Sequence, residues 1–286
     1  MLQNWVHAAR QLPQNDWLLA RRKGPYYLRH FGLKLGLVPG QRRYNRFVIV
    51  CLPRTGSSML RSLLNSHRQV IAFGELFNSD TPMNWALAGY SKRGPAARLH
   101  RRDPVLFLKR AVYGCYPRGI DAVGFKLIYD QARENGRQHL WRYLQTEREI
   151  GIVHLIRRNI LRSYLSLQVA RKFDHWIRIR GRPHGGHRLR LEGGQTVAAL
   201  AQMESQIAAM RCFFDPGRTI EVFYEDLCRQ PEAQLRRIQS FLGVAELDLR
   251  PALHKLPRIP LSRAIANFTE LRQTLRGSPW EPFLEE

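Results

Sequence analysis

Three groups of residues in this chain have the types and spacing to handle an anion. The first, Leu52-Pro53-Arg54-Thr55-Gly56-Ser57-Ser58, directly follows the apolar run Phe47–Leu52. A strand-to-helix turn of this kind aims backbone N–H groups and the positive end of a helix at one spot; glycine allows close approach, and the hydroxyls of Thr55, Ser57 and Ser58 add donors. Arg54 supplies a fixed cation with a planar donor fork. The same residues also suit an ordinary capped helix after a proline turn. They are not the nucleotide-triphosphate loop G-x-x-x-x-G-K-[ST], because no Lys precedes the serine pair. The second group is Arg157-Arg158-Asn159 at the end of the run Ile150–Ile156, followed by Arg162, Ser163 and Ser166. Arg158, Arg162 and Ser166 are four residues apart, which places them on one helix face near its positive end and suits a second phosphate about one nucleoside from the first. A solvated basic helix start is the alternative. The third is Glu75, in Phe73-Gly74-Glu75-Leu76-Phe77. An acid amid apolar residues and close to a basic site can take a proton from a hydroxyl; an exposed loop acid or a salt-bridge partner reads equally well. Lys126, inside Ala122–Ile128, is unusual because a buried Lys is costly unless paired. It either faces a reacting anion or emerges at the strand end.

For these groups to meet, they must lie at one end of one sheet. Phe47–Leu52 is a continuous apolar, β-rich run, as expected of a strand buried on both faces. A helix follows through Leu60, Leu63 and Leu64. Val70–Phe73, Ala122–Ile128, Ile150–Ile156 and Thr219–Tyr224 read as further strands. Pro104 opens a helix, and Arg137–Gln145, Asn159–Lys172, Thr196–Phe214 and Pro231–Leu242 read as others, the last stopped by Gly243. Strands alternating with helices predict an α/β fold, a central parallel sheet flanked by helices in three layers. Ligands of such sheets bind beyond the carboxyl ends of the strands. No linker interrupts the pattern, so one domain over 1–286 is expected: a basic-aromatic helical extension 1–45, a core 46–245 and a wrapping segment 246–286. Residues 172–194, rich in Gly, Arg and His, form a long loop of the kind that is usually functional or disordered.

Composition narrows the partners. With 46 Lys+Arg against 23 Asp+Glu, the net charge of +23 attracts polyanions, whether nucleotide, nucleic acid, acidic glycan or anionic membrane. Cys51, Cys115, Cys212 and Cys228 are too far apart for a zinc or redox motif, which suggests free thiols in a reducing compartment. No apolar run reaches the roughly 20 residues needed to span a bilayer. Residues 1–45 carry eight Lys/Arg and one acid, Asp16, interleaved with Trp5, Trp17, Tyr26, Tyr27 and Phe31. That mix suits a membrane interface or a helical hairpin covering the core. A cytoplasmic protein, peripheral at a membrane if the first reading holds, is expected.

Taken together, the motifs resemble the family of sulfotransferases that use 3′-phosphoadenosine 5′-phosphosulfate (PAPS), over roughly residues 46–245. Leu52–Ser58 resembles its 5′-phosphosulfate loop. Arg158 and Ser166 have the spacing of its 3′-phosphate motif, and Tyr224-Glu225-Asp226-Leu227 resembles the segment whose Tyr lies near the adenine. The resemblance implies a P-loop-like fold with PAPS as donor, 3′-phosphoadenosine 5′-phosphate as product, and no metal. It also implies an acid after the first helix as base, as in the bacterial glycan-type and tyrosylprotein-type members rather than the cytosolic small-molecule type. Glu75 then takes the acceptor proton, Lys126 neutralises the transferring group, and Arg54, Thr55, Gly56, Ser57 and Ser58 hold the phosphosulfate. Lys255–Asn267 is the segment that would cover the nucleotide. A glycan hydroxyl is the favoured acceptor, anionic or lipid-linked, with a tyrosyl peptide or small phenol as alternatives. A P-loop kinase and a nucleic-acid-binding protein are more distant readings. The first lacks its Lys and its Mg²⁺ acids, and the second lacks a recognised motif, so no nucleic-acid partner is expected.

Overall fold

In the computed structural model, residues 24–78, 95–131, 138–173, 188–250 and 259–285 are described. Five parallel strands form the central sheet: β1 (Asn45–Cys51), β2 (Val70–Glu75), β3 (Ala122–Ile128), β4 (Ile150–Ile156) and β5 (Thr219–Phe223), in the spatial order β2-β3-β1-β4-β5. The apolar run predicted as a doubly buried strand is one: Phe47–Cys51 have no exposed surface. Alternate side chains feed two separate cores. Val48 and Val50 join Phe125, Leu127 and Ile152 on one face. Phe47, Ile49 and Cys51 meet Leu60, Leu63 and Leu64 of helix α2 (Ser57–Ser66) on the other. Helix α1 (Gly24–Lys34) precedes the sheet. Leu140 and Leu144 of the helix Gln138–Thr146 join the first core as α2 joins the second, so helices cover both faces. The strand order places β1 between β3 and β4, so the loops leaving the carboxyl ends of β1, β3 and β4 converge.

β2 is an edge strand, and its free edge is covered from within the same supersecondary unit. Asn65, the penultimate residue of α2, donates from Nδ2 to the carbonyl of Ala72 (2.7 Å) and accepts from the Ala72 N–H at Oδ1 (3.0 Å). This buried amide replaces the missing neighbouring strand and ties the helix to the edge. Beyond it the register shifts: Phe73 pairs with Phe125, but Glu75 pairs with Lys126, leaving Gly74 as a bulge. Without the bulge, the period of two would put Gly74 opposite Lys126 and turn Glu75 to the other face. The strand is accordingly longer than the predicted Val70–Phe73.

After β4, helix α3 (Ile160–Phe173) starts one residue later than predicted, and its first turn is braced by Asn159, whose Oδ1 accepts from the Arg162 N–H. Arg158 therefore precedes the helix, so the predicted helical face of Arg158, Arg162 and Ser166 does not form as such. Arg162 is buried and donates to the carbonyl of Ile259. Helix α4 (Gly193–Phe213) is capped by Glu192, which accepts from the Gly194 and Gln195 N–H groups. Helices α5 (Tyr224–Arg229) and α6 (Pro231–Phe241) follow β5, and Gly243 ends the latter at φ 61°. Residues from 259 onward return to the body of the fold. Asn267 exchanges two hydrogen bonds with the backbone of Leu191, and the carbonyl of Phe283 accepts from Asn159 Nδ2. Most of the glycine-rich 172–194 loop, residues 1–23 of the N-terminal extension and part of Lys255–Asn267 lie outside the described residues.

A polar chain runs through the interior beside β1. His154 on β4 lies between Tyr129, whose hydroxyl donates to Nε2 (2.5 Å), and Glu221 on β5, which accepts from Nδ1 (3.3 Å) and is itself gripped by Arg211. Burial pushes the His154 pKa down to about 4, the Glu221 carboxylate only partly opposing it. The ring is thus neutral near pH 7, and its contact with Glu221 is a hydrogen bond rather than an ion pair. In the unfolded chain the same imidazole titrates near 6.5. Between these values the unfolded state binds a proton that the folded state refuses, so the stabilisation is whole above pH 6.5 and is lost as the pH falls to about 4. Urea denaturation should show the native chain losing about 2 kcal/mol more than His154→Gln between about pH 7 and about pH 5; parallel losses would remove His154 as the cause.

Candidate active site

The turn after β1 is made by two residues in left-handed backbone. Arg54 has φ 64°, alone among the described non-glycine residues, and Gly56 has φ 87°. An Arg in that region carries of order 1 kcal/mol of strain, retained where surrounding contacts over-determine it. Here they do: Arg54 Nε donates to Ser166 Oγ on α3 (3.0 Å), and the Arg54 carbonyl accepts from Arg157 Nη1 (3.2 Å). Thr55 is buried and donates its hydroxyl to the Leu52 carbonyl, so it shapes the loop rather than reaching outward. Gly56 is the N-cap of α2 and brings no side chain to the first-turn amides. Ser57 is buried against Cys51, whose thiol is pushed up by burial. Ser58 is exposed, with its Oγ 3.4 Å from Lys126 Nζ.

Lys126 and Glu75 form the second half of the site. Lys126 is 5% exposed, yet its Nζ lies 2.6 Å from Glu75 Oε1. That pairing answers the question raised by a lysine inside a strand. The other Glu75 oxygen accepts from Gln131 Nε2 (2.7 Å) and Asn78 Nδ2 (3.1 Å). Burial alone would raise the Glu75 carboxyl, but the Lys126 ammonium and the two amide donors, Gln131 and Asn78, outweigh it and hold the group below the usual carboxylate range. Glu75 is therefore ionised near neutral pH, with both oxygens engaged. Gln131 was not singled out by the sequence; it is fixed in turn by Trp141 Nε1, which donates to its carbonyl (2.9 Å). His67, the residue that ends α2, is buried at the amino end of β2, with Nε2 on the Ala245 carbonyl.

Tyr224-Glu225-Asp226 braces the loops. The Tyr224 ring lies so close to Gly56 that a Cβ there would meet it at 2.4 Å, and the Arg157 guanidinium lies 4.8 Å from the same ring centre. Glu225 accepts from the backbone N–H groups of Arg158 and Asn159. Asp226 takes one N–H from each terminal nitrogen of Arg158, at 2.6 and 2.7 Å. The Arg158 guanidinium also lies 3.9 Å from the centre of the Phe223 ring. Arg158 and Ser166, paired by their spacing, thus have different partners: Asp226 for one, Arg54 for the other. Arg157, passed over in favour of its neighbour, is the residue that joins the first loop to Tyr224.

A family model described as the sulfotransferase family matches residues 46–248, well over half of the chain. The chain belongs to the sulfotransferase family. The match opens on β1 and closes just beyond α6, so it contains every site residue named above. This sulfotransferase is 29% identical to Nodulation protein H of Rhizobium tropici, covering 84% of this chain and 92% of that one. It is also 29% identical to Nodulation protein H of Rhizobium meliloti (strain 1021), with 84% and 94% covered. Among solved structures, a sulfotransferase from Alicyclobacillus acidocaldarius is 17% identical, with 84% and 92% covered and a TM-score of 0.45.

Two glycines test how tightly the sulfotransferase packs its loop. Gly56 and Gly119 share φ 87°, but a Cβ at Gly119 would have nothing within 4 Å, whereas one at Gly56 would meet Tyr224. Gly119→Ala should cost about 1 kcal/mol for the backbone alone. Gly56→Ala should cost about 1–3 kcal/mol more, because the ring must also move. Chemical denaturation of both variants measures the difference, and equal losses would mean that the tyrosine does not brace the loop.

Proposed function

We propose that this enzyme transfers the sulfuryl group of PAPS to a carbohydrate hydroxyl, using one catalytic domain over residues 1–286. The observation that carries the reading is the Glu75–Lys126 pair, which sets a proton acceptor and a cation within 2.6 Å of each other, next to the Ser58 end of the first loop. The donor fits the residues present. Arg54 and the uncapped first turn of α2 suit its 5′-phosphosulfate. Asp226 occupies two of the five N–H donors of Arg158, which leaves three for a 3′-phosphate. Ser166, which the resemblance assigns to the 3′-phosphate, accepts from Arg54 Nε and so links the two phosphate positions, and Tyr224 offers an aromatic face beside the first loop to an adenine.

In the proposed reaction the acceptor oxygen attacks sulfur, its proton passes to Glu75, and the bond from sulfur to the 5′-phosphate oxygen breaks. Lys126 balances the charge on the moving group, while Arg54 and the loop donors stabilise charge growing on the departing phosphate. The chemistry is positioning plus electrostatics, so it does not call for a metal. A carbohydrate acceptor, with a tyrosyl peptide as the alternative, is supported by the placement of the base at the end of the strand that follows the first helix, as in the bacterial glycan-type and tyrosylprotein-type members that the sequence resembles. A cytoplasmic location is supported by four free cysteines. Among the described residues, no helix is long and apolar enough to cross a membrane.

Two substitutions test the roles. Glu75→Gln keeps the contacts' shape but removes the base, so turnover should fall by about 10²–10⁴ while 3′-phosphoadenosine 5′-phosphate binds as before. Retained turnover would take Glu75 out of the mechanism. In calorimetry, Arg158→Ala should weaken 3′-phosphoadenosine 5′-phosphate by about tenfold or more and leave ADP nearly unchanged; equal effects on both would show that Arg158 does not read the 3′-phosphate.

A further inference from the structure

Among the described residues, helix α1 shows an unpartnered face at the end of the sheet away from the catalytic loops. Its inner side is well anchored. Gly32 is buried, a Cβ on Gly40 would run into Leu33 and Cys115, and Arg29 Nη2 donates to the carbonyl of Arg118 (2.8 Å). A two-residue antiparallel ribbon, Gly40–Gln41 with Tyr116–Pro117, then joins it to the amino end of β1. Its outer side is apolar. Leu28, Phe31 and Leu35, spaced as one helical stripe, are 75%, 48% and 56% exposed, and Leu37 just beyond is 77% exposed. Only two other large hydrophobics among the described residues, Leu247 and Ile259, are comparably open, so these four form a concentrated patch.

The charge around the patch is of one sign. Segments 24–43 and 113–120, which contain the helix and the ribbon under it, hold five Lys/Arg (Arg29, Lys34, Arg42, Arg43 and Arg118) and no Asp or Glu. Large aliphatic side chains ringed by cations match the boundary between headgroups and acyl chains of an anionic bilayer. Leucines insert into the apolar layer, while each basic residue near the surface adds to the attraction. Nucleic acid would use the cations but has no use for exposed leucines. A second copy of this chain would bring the same positive field against itself.

We propose that the outer face of α1, with Leu28, Phe31, Leu35 and Leu37 at its centre, is a docking surface for anionic membranes. The protein lies on the bilayer rather than across it. Because the helix is attached at the amino end of β1 and the phosphosulfate loop leaves its carboxyl end, seven residues or roughly 20 Å away, docking holds the catalytic face clear of the lipid. The proposal rests on this surface alone and is independent of the acceptor and of the roles given to Glu75 and Arg158.

Co-sedimentation of the full chain with vesicles tests it. The protein should pellet with phosphatidylglycerol–phosphatidylcholine vesicles and stay in solution with phosphatidylcholine alone, and binding should weaken as salt rises. The triple variant Leu28→Ser/Phe31→Ser/Leu35→Ser should bind the anionic vesicles about tenfold or more weakly while keeping its far-ultraviolet circular dichroism and its affinity for 3′-phosphoadenosine 5′-phosphate. No preference for anionic vesicles would overturn the proposal, as would unchanged binding by the triple variant, which would mean unspecific adsorption of charge. Duplex RNA that displaces the protein from vesicles and binds the triple variant equally well would replace it with a nucleic-acid surface. A dimer in sedimentation velocity that the triple variant loses would replace it with a subunit interface.

Discussion

A lysine inside a central strand is tolerable only if something answers its charge, and much of the site follows from how this chain answers Lys126. The answer comes from the neighbouring strand: a carboxylate 2.6 Å from Nζ, on a residue that the ordinary pleat would have turned to the opposite core. The bulge at Gly74 re-aims Glu75, and a glycine there leaves room for the Arg61 guanidinium, which lies 3.1 Å from where a Cβ would be. Asn65 anchors the strand just upstream, and Gln131 and Asn78 hold the second carboxylate oxygen. A buried ion pair is weak evidence for stability, since desolvation offsets most of its attraction. It is better understood as a constraint that keeps a carboxylate ionised, oriented and beside a cation.

The opposite half of the site solves a different problem, that of gathering arginines without scattering them by repulsion. Arg54, Arg157 and Arg158 all come to the carboxyl ends of β1 and β4 in a chain of net charge +23. Each is given a fixed partner: Ser166 for Arg54, the Tyr224 ring and the Arg54 carbonyl for Arg157, and Asp226 for Arg158. Glu225 adds acceptors for the backbone between them. Three consecutive residues of α5 thereby join β1, β4 and β5 into one rigid frame. An anion entering it meets donors that need little reorganisation, which is the condition for electrostatic stabilisation of a charged transition state.

The two ends of the sheet have been given contrasting surfaces. At the carboxyl ends the charges are paired, turned inward and partly buried. At the amino end, helix α1 leaves Leu28 and Phe31 facing outward, with Leu35 and Leu37 just beyond it. A parallel sheet makes such a division natural, because every βα turn lies at one end and the other is free for a separate role.

How much of this was legible in the sequence follows from the range of the interactions involved. The strands and helices, the α/β layering and the strand-to-helix turn at Leu52–Ser58 were readable because alternation, helical period and glycine placement are local properties of the chain. The same holds for the choice of Lys126 as a residue out of place in a strand. What the sequence could not decide was which distant residues meet. Arg54 and Ser166 are 112 positions apart, and Glu75 and Gln131 are 56 apart. The four-residue spacing of Arg158, Arg162 and Ser166 suggested one helical face, but the helix begins at Ile160, and their partners come from elsewhere: Asp226, Ile259 and Arg54. Local pattern determined the elements and the chemical types available. Strand order, a single bulge and the return of α5 over the first loop decided the pairings, because only tertiary packing sets the distance between groups so far apart along the chain.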